Sequence, residues 1–136
     1  MIIFENELNL ENKNLKKYKN IYLVLLSNDI RKLKLGQKVL EYKLEIINDQ
    51  KKRFEDLQII DEVKFQNLAD EINSFDVIHP CIGENFSFLN NIRKKRNLKL
   101  NFVLSEEDKF SWRFSNKGFF NFKSNIPKIL KSFNLQ

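Results

Sequence analysis

The 136-residue sequence predicts a three-layer α/β fold with a doubly wound, mainly parallel sheet of about four or five strands. Three observations lead there. Short apolar runs alternate with longer stretches whose apolar residues repeat at helical spacing. The first of these runs is nearly continuous in apolar residues, as in a strand covered on both faces. Only the last run alternates strictly, the pattern of a strand nearer an edge. Strand, helix and strand in repeated succession require a parallel sheet with helices on both sides.

The elements follow in order. "NIYLVLLS", Asn20 to Ser27, reads as a buried strand. Arg31 to Gln50 reads as a helix, with Leu40, Leu44 and Ile47 on one stripe and Val39 and Ile46 beside it. "DLQII", Asp56 to Ile60, is the next strand. Asp61 to Ser74 places Phe65, Leu68, Ala69 and Ile72 on one helical face. "FDVIHP" is a third strand, stopped by Pro80, which cannot donate to a sheet ladder. A helix from Glu84 to about Asn97 buries Phe88, Leu89 and Ile92, and its basic last turn suits the negative end of the helix dipole. "LKLNFVL", Leu98 to Leu104, is the alternating strand. Ser105 then caps a helix start, "SEED". Asn116 to Gly118 make a turn, and Ile126, Ile129, Leu130 and Phe133 stripe a short final helix with Pro127 near its start. The expected organisation is a single α/β domain over 1–136, with no element assigned in 1–19 and a helical, aromatic segment at 105–136. Right-handed crossovers make that arrangement Rossmann-like.

Composition narrows the function classes. A hydrophobic fraction of 42% and an aromatic fraction of 12% describe a packed globule rather than a disordered chain. One Cys and one His supply neither an internal disulfide nor a structural zinc site. The amino-terminal stretch lacks the pattern of a signal peptide, and the longest apolar run, "IYLVLL", is too short to span a bilayer. A soluble, cytoplasmic protein with no membrane partner is expected. The net charge of +6, from 24 Lys and Arg against 18 Asp and Glu, favours polyanions. Abundant Asn, Lys, Ile and Phe with almost no Ala is also what an AT-rich genome produces, and this discounts the charge.

In open α/β sheets ligands sit at the carboxyl ends of the strands. That rule collects Ser27, Asn28 and Asp29; Asp61 and Glu62; His79, Pro80 and Cys81; and Ser105, Glu106 and Glu107. Candidate catalytic residues are therefore His79, Cys81, Asp29 and Glu106. A Cys–His pair needs imidazole and thiol within hydrogen-bond reach, and two residues apart on an extended chain they sit ~6–7 Å apart at the backbone. The plainer alternative is a histidine that finishes a strand beside a small packed cysteine. A metal set of His79, Asp29, Asp61 and Glu106 has no spacing that selects it, so no metal and no cofactor are assigned. Neither Gly-x-Gly-x-x-Gly nor Gly-x-x-x-x-Gly-Lys occurs. Gly83 opens a helix N-terminus suited to an anion, but Glu84 there repels one.

Nucleic-acid candidates are the basic clusters Lys51, Lys52 and Arg53, and Arg93, Lys94, Lys95, Arg96 and Lys99, with Lys13 to Lys19 as a third group. Downstream, Phe110, Trp112, Phe114, Phe119, Phe120 and Phe122 could stack bases along a backbone-tracking groove. The alternative is solvated helix ends, with the rings filling the core over the last strand.

Three stretches resemble the amino-terminal α/β domain of the photolyase/cryptochrome family, in its photolyase-related branch. "IYLVLLSNDIRKLKLGQKVLEYKLEIIND" is similar to that branch's first strand, loop and helix, opening at Gln37, Lys38, Val39 and Leu40. "FDVIHPCIGENFSFLNNI" resembles its strand, short loop and helix. "LKLNFVLSEEDKFSWRFSNKGFFNFKSNIPKIL" resembles the last strand and the exit toward a helical domain. The family's flavin, photoactive tryptophans and lesion pocket belong to that helical domain, so none of its residues carries over. The resemblance implies an α/β module, alone or half of a split protein, with a helical flavin-binding domain or another protein as partner in DNA repair or light response. Three functions follow: a non-catalytic docking module, a basic nucleic-acid-binding domain, or a small enzyme using the strand ends around His79 and Cys81.

Overall fold

The computed structural model describes residues 1–11 and 14–134. Five parallel strands form one sheet: β1 (Ile2–Phe4), β2 (Ile21–Val24), β3 (Leu57–Ile60), β4 (Ser74–Ile78) and β5 (Lys99–Val103). Their spatial order is β3-β2-β1-β4-β5, so the chain winds outward from β1 on one side and then returns to continue on the other. This is the expected doubly wound, Rossmann-like arrangement.

Strand alternation divides the core. Ile2 and Phe4 point to one face with Val24, Ile60, Phe75 and Val77, and there they meet Phe65, Ala69, Leu89 and Ile92. Those four belong to the helices α2 (Glu62–Glu71) and α3 (Glu84–Arg96). Ile3 points the other way with Ile21, Leu23, Leu57 and Ile78. That face is covered by Ile47 of α1 (Gln37–Arg53) and by Leu10 and Leu15. The connection from β1 to β2, residues 5–20, contains no helix among its described residues.

Two elements of the first unit, β1 and α1, differ from expectation, each for an identifiable reason. The central strand β1 lies inside the segment that carried no element. Three residues are too few to display a period, although all three are buried. Helix α1 begins at Gln37 instead of Arg31, because residues 28–35 form a closed loop. Asn28 bonds both ways with Leu35 there, its Nδ2 donating to the carbonyl at 2.9 Å and its Oδ1 accepting from the N–H at 2.9 Å. The inward side of α1 is also rotated from the expected stripe. Ile47 is buried and Leu40 half-buried, but Leu44 and Val39 are exposed, and Lys43 points inward.

The chain divides into two compact units, Met1–Val103 and Leu104–Gln136. The second contains α4 (Glu106–Ser111), a 3-10 helix (Trp112–Lys117) and α5 (Phe119–Ser132). Ser105 caps α4 as expected, accepting from the Asp108 N–H at 3.0 Å. The residues expected to form a turn, Asn116 and Lys117, instead finish the 3-10 helix, and Gly118 alone turns the chain at φ 84. Helix α5 thus starts seven residues earlier than its Ile126 stripe suggested, leaving Pro127 in its interior. Proline has no N–H to offer the Lys123 carbonyl one turn back. Within this unit the Phe110 ring packs against Phe114 and Phe133, with centroids 5.5 and 5.6 Å apart. None of the three elements buries a residue fully. Among the described residues no helix is long and apolar enough to cross a membrane.

Candidate functional site

The strand order reverses between β1 and β4, and a crevice at their carboxyl ends is where an open α/β sheet receives a ligand. A cavity of about 230 Å³ lies there, lined by Glu5 and Asn6 after β1, Arg31, Lys43 of α1, Pro80, and Glu84 and Asn85 of α3. Its chemistry is dominated by charges facing one another. Glu5, with its side chain 1% exposed, is ion-paired to Arg31 and lies 3.7 Å from Lys43 Nζ. Its second oxygen accepts from the Leu26 N–H at 3.2 Å. Arg31 also donates to the Leu26 carbonyl at 3.0 Å and reaches Glu84 at 3.4 Å. A buried carboxylate is tolerable only with such a complete set of partners.

Glu84 closes the network from the far side. Its Oε1 accepts from the Lys32 N–H at 2.8 Å and the Leu33 N–H at 3.2 Å. The Leu33 N–H bond is the main cause holding the Glu84 carboxyl below its ordinary range; desolvation opposes it, and Lys32 and Arg31 reinforce it. The first residue of α3 therefore ties down the loop 31–33, and the place where an anion would meet the helix start is filled by the chain's own acid. Alongside, Asn85 Nδ2 donates to Asn6 Oδ1 and Asn6 Nδ2 to the Pro80 carbonyl, both at 2.8 Å. Buried Arg31 Nε and Asn85 Oδ1 have no hydrogen-bond partner among the described residues.

The rim residues selected from sequence in the first unit lie at the strand ends around this crevice. Ser27 bonds Glu62 twice, through its hydroxyl and through its N–H at 3.0 Å. Burial alone would push the Glu62 carboxyl up, but these two bonds together with its own backbone N–H outweigh it and hold the group below its ordinary range. Asp61 caps α2, accepting from the Lys64 N–H at 2.8 Å, and Asp29 lies in a 3-10 turn, Asn28–Ile30. His79 Nδ1 accepts the Cys81 backbone N–H at 3.1 Å. Its ring packs against both Phe86 and Phe102, with centroids 5.3 and 5.0 Å away, and those two rings touch each other. That is the bonding of a strand-ending turn, and Cys81 takes the left-handed conformation, φ 55, that the turn requires. The exposed Cys81 thiol has Glu7 Oε1 as a neighbour at 3.5 Å. Glu106, in the second unit, pairs with Lys109 at 2.7 Å. Among the described residues no three His, Cys, Asp or Glu side chains gather in a group that could hold a metal.

The basic clusters of the first unit are separated. Lys51, Lys52 and Arg53 end α1 on one side of the sheet; Arg93, Lys94, Lys95 and Arg96 end α3 on the other. Arg53 is paired with Glu11 and with Asp49 at 3.1 Å, and Arg96 forks onto Asp70. Arg93, Lys94 and Lys99 form no ion pair among the described residues and line a shallow groove of about 700 Å³. That groove is larger than the crevice but lies where β5 begins, at the edge of the sheet opposite the strand ends. Lys13 lies outside the described residues.

Sequence reasoning missed Glu5, Asn6, Lys43 and Asn85. The available signals were an acid directly after "MIIF" and a lysine on the inward side of an apolar helix. Comparison with protein-family models and with curated proteins finds no match to this chain.

Proposed function

We propose that this chain is a non-catalytic α/β module that acts by docking a protein partner at the carboxyl rim of its sheet. The partner class is a helical, flavin-binding domain of the photolyase-related type, in DNA repair or light response. The resemblance described above supplies that class, and the doubly wound fold agrees with it.

One observation carries the reading. The charges of the crevice are spent on each other and on backbone N–H groups, while the loops they tie together display apolar side chains outward. Ile82 is 97% exposed and Leu33 78%. They lie on adjoining loops, because the Leu33 N–H is bonded to Glu84, two residues beyond Ile82. Apolar groups held outward on a rigid, charge-neutral knot suit burial against another protein.

The test is titration of a purified helical flavin domain of that type with the full chain, followed by size-exclusion chromatography and calorimetry. Wild type forms a complex, and Leu33→Glu with Ile82→Glu weakens it at least about tenfold, the loss of two apolar anchors. Both side chains are exposed, so the variant keeps the wild-type circular dichroism. A wild type that forms no complex, or a double variant that binds equally well, removes the proposal.

A further inference from the structure

The two units each carry a net charge of +3, but in Leu104–Gln136 the acids are confined to Glu106, Glu107 and Asp108 at the start of α4. Residues 109–136 contain six Lys and Arg and no Asp or Glu, so the first 108 residues hold 18 of each sign and are neutral as a set. The same 28 residues contain seven of the chain's aromatic side chains: Phe110, Trp112, Phe114, Phe119, Phe120, Phe122 and Phe133. A genome rich in AT raises lysine everywhere; it does not remove every acid from one segment.

We infer that the C-terminal unit binds single-stranded nucleic acid, using Phe119 and Phe120 as stacking faces and Lys123 and Lys131 of α5 as phosphate contacts. Phe119 and Phe120 open α5 and are 68% and 83% exposed. Their rings stand edge to face, 5.7 Å apart with an interplanar angle of 70°. Helical spacing puts Lys123 one turn beyond both rings, at i+4 from Phe119 and i+3 from Phe120. Lys131 follows two turns later along the side of Lys123 and Phe120. Cations thus alternate with rings around a single exposed face. That is the arrangement of a surface that stacks bases while tracking a backbone. A helix lying on an anionic membrane instead gathers its apolar residues on one side and its charges on the other; here helical spacing sets Phe120 on the charged side, between Lys123 and Lys131. Elsewhere in the unit the cations already cover rings, Arg113 at 5.8 Å from the Phe110 centroid and Lys128 at 5.4 Å from that of Phe114. The open aromatic surface is concentrated at the start of α5.

The experiment measures fluorescence anisotropy of a labelled 20-nucleotide oligo-dT with the full-length chain across a salt series. Binding is expected, with a slope of log K against log salt between about −2 and −4, since each phosphate contact on a single strand contributes about −0.7. Phe119→Ala with Phe120→Ala weakens binding about tenfold or more at an unchanged slope, the effect of lost stacking. Lys123→Gln and Lys131→Gln together reduce the slope by about 1.4, two phosphate contacts at about 0.7 each. Arg93→Gln, Lys94→Gln and Lys99→Gln, in the first unit, leave affinity within twofold. Absence of binding at low salt overturns the assignment. So does binding that ignores the two phenylalanines, binding that is lost with the first-unit triple variant, or association with phosphatidylserine vesicles in place of the oligonucleotide.

Discussion

The two units of this chain solve the problem of charge and burial in opposite ways. In the first, Met1–Val103, apolar side chains from four of the five strands and from three helices are enclosed, and the charges that enter the interior are matched one against another. In the second, Leu104–Gln136, rings pack in small half-exposed groups and no element encloses a residue. A unit of about 30 residues has too little volume to shelter side chains from water. The comparison teaches where each unit's specificity resides: in the first, in an interior network that fixes the loops; in the second, in what its surface presents.

The most damaging way to break the contrast is to remove one member of the interior network. Glu5→Ala leaves Arg31 and Lys43 facing the crevice without their carboxylate, and the Leu26 N–H without its acceptor. Unfolding free energy from urea titration is expected to fall by about 3–5 kcal/mol. Replacing Glu5, Arg31 and Lys43 together with apolar residues should cost much less, because no charge is then stranded. If Glu5→Ala costs under about 1 kcal/mol, a surface-like value, the network does not fix the first unit.

Pro127→Ala sharpens the comparison from the other side. It restores an N–H inside α5 and a hydrogen bond to the Lys123 carbonyl, and it is expected to stabilise that helix by about 1–3 kcal/mol. Amide exchange across residues 119–132 should slow by one order of magnitude or more, while the amides of β2 and β4 keep their rates. Equal slowing in both units means that they open as one, and the contrast fails.

The smallest expected effect is a pH dependence. Because Glu62 titrates below its ordinary value of 4.5 in the folded chain, its stabilising contribution is complete above that value. It is lost as pH falls through the depressed folded value. Ser27→Ala removes the hydroxyl bond and one of the causes of the depression. The variant should lose less stability than wild type between about pH 6 and pH 3, read as urea midpoints. Curves that stay parallel would show that the Ser27 hydroxyl does not set the Glu62 titration.

Much of the fold was legible in the residues, and the exceptions have physical explanations. Helices α2 and α3 could be bounded within a few residues because local signals agree with the tertiary outcome. Asp61 caps one, and Asn97 ends the other in the left-handed conformation. The edge position of β5 follows from its alternation. Helix α1 failed at its start because the backbone of residues 32 and 33 is satisfied by Glu84, 51 residues or more away in the chain, which no local window contains. Its buried side failed because Lys43 serves Glu5, a tertiary demand that overrides amphipathic spacing. The site shows the same division. The rim rule led to the carboxyl edge of the sheet and to Pro80, but not to Glu84. Its charged centre required knowing that three residues at the chain's start lie between β2 and β4.

The seam between those strands has a mechanical meaning. β4 and β5 are held by five registered pairs and β2 and β3 by four, whereas β1 meets β4 at Ile2 opposite Val77 alone. The sheet is therefore two plates joined along a narrow line. The bonds from Arg31 and the backbone of residues 32 and 33 to Glu84, and from Asn6 to Asn85 and Pro80, act as rivets at one end of it. Pulled apart from the flanks, this molecule should tear between its plates before either plate frays.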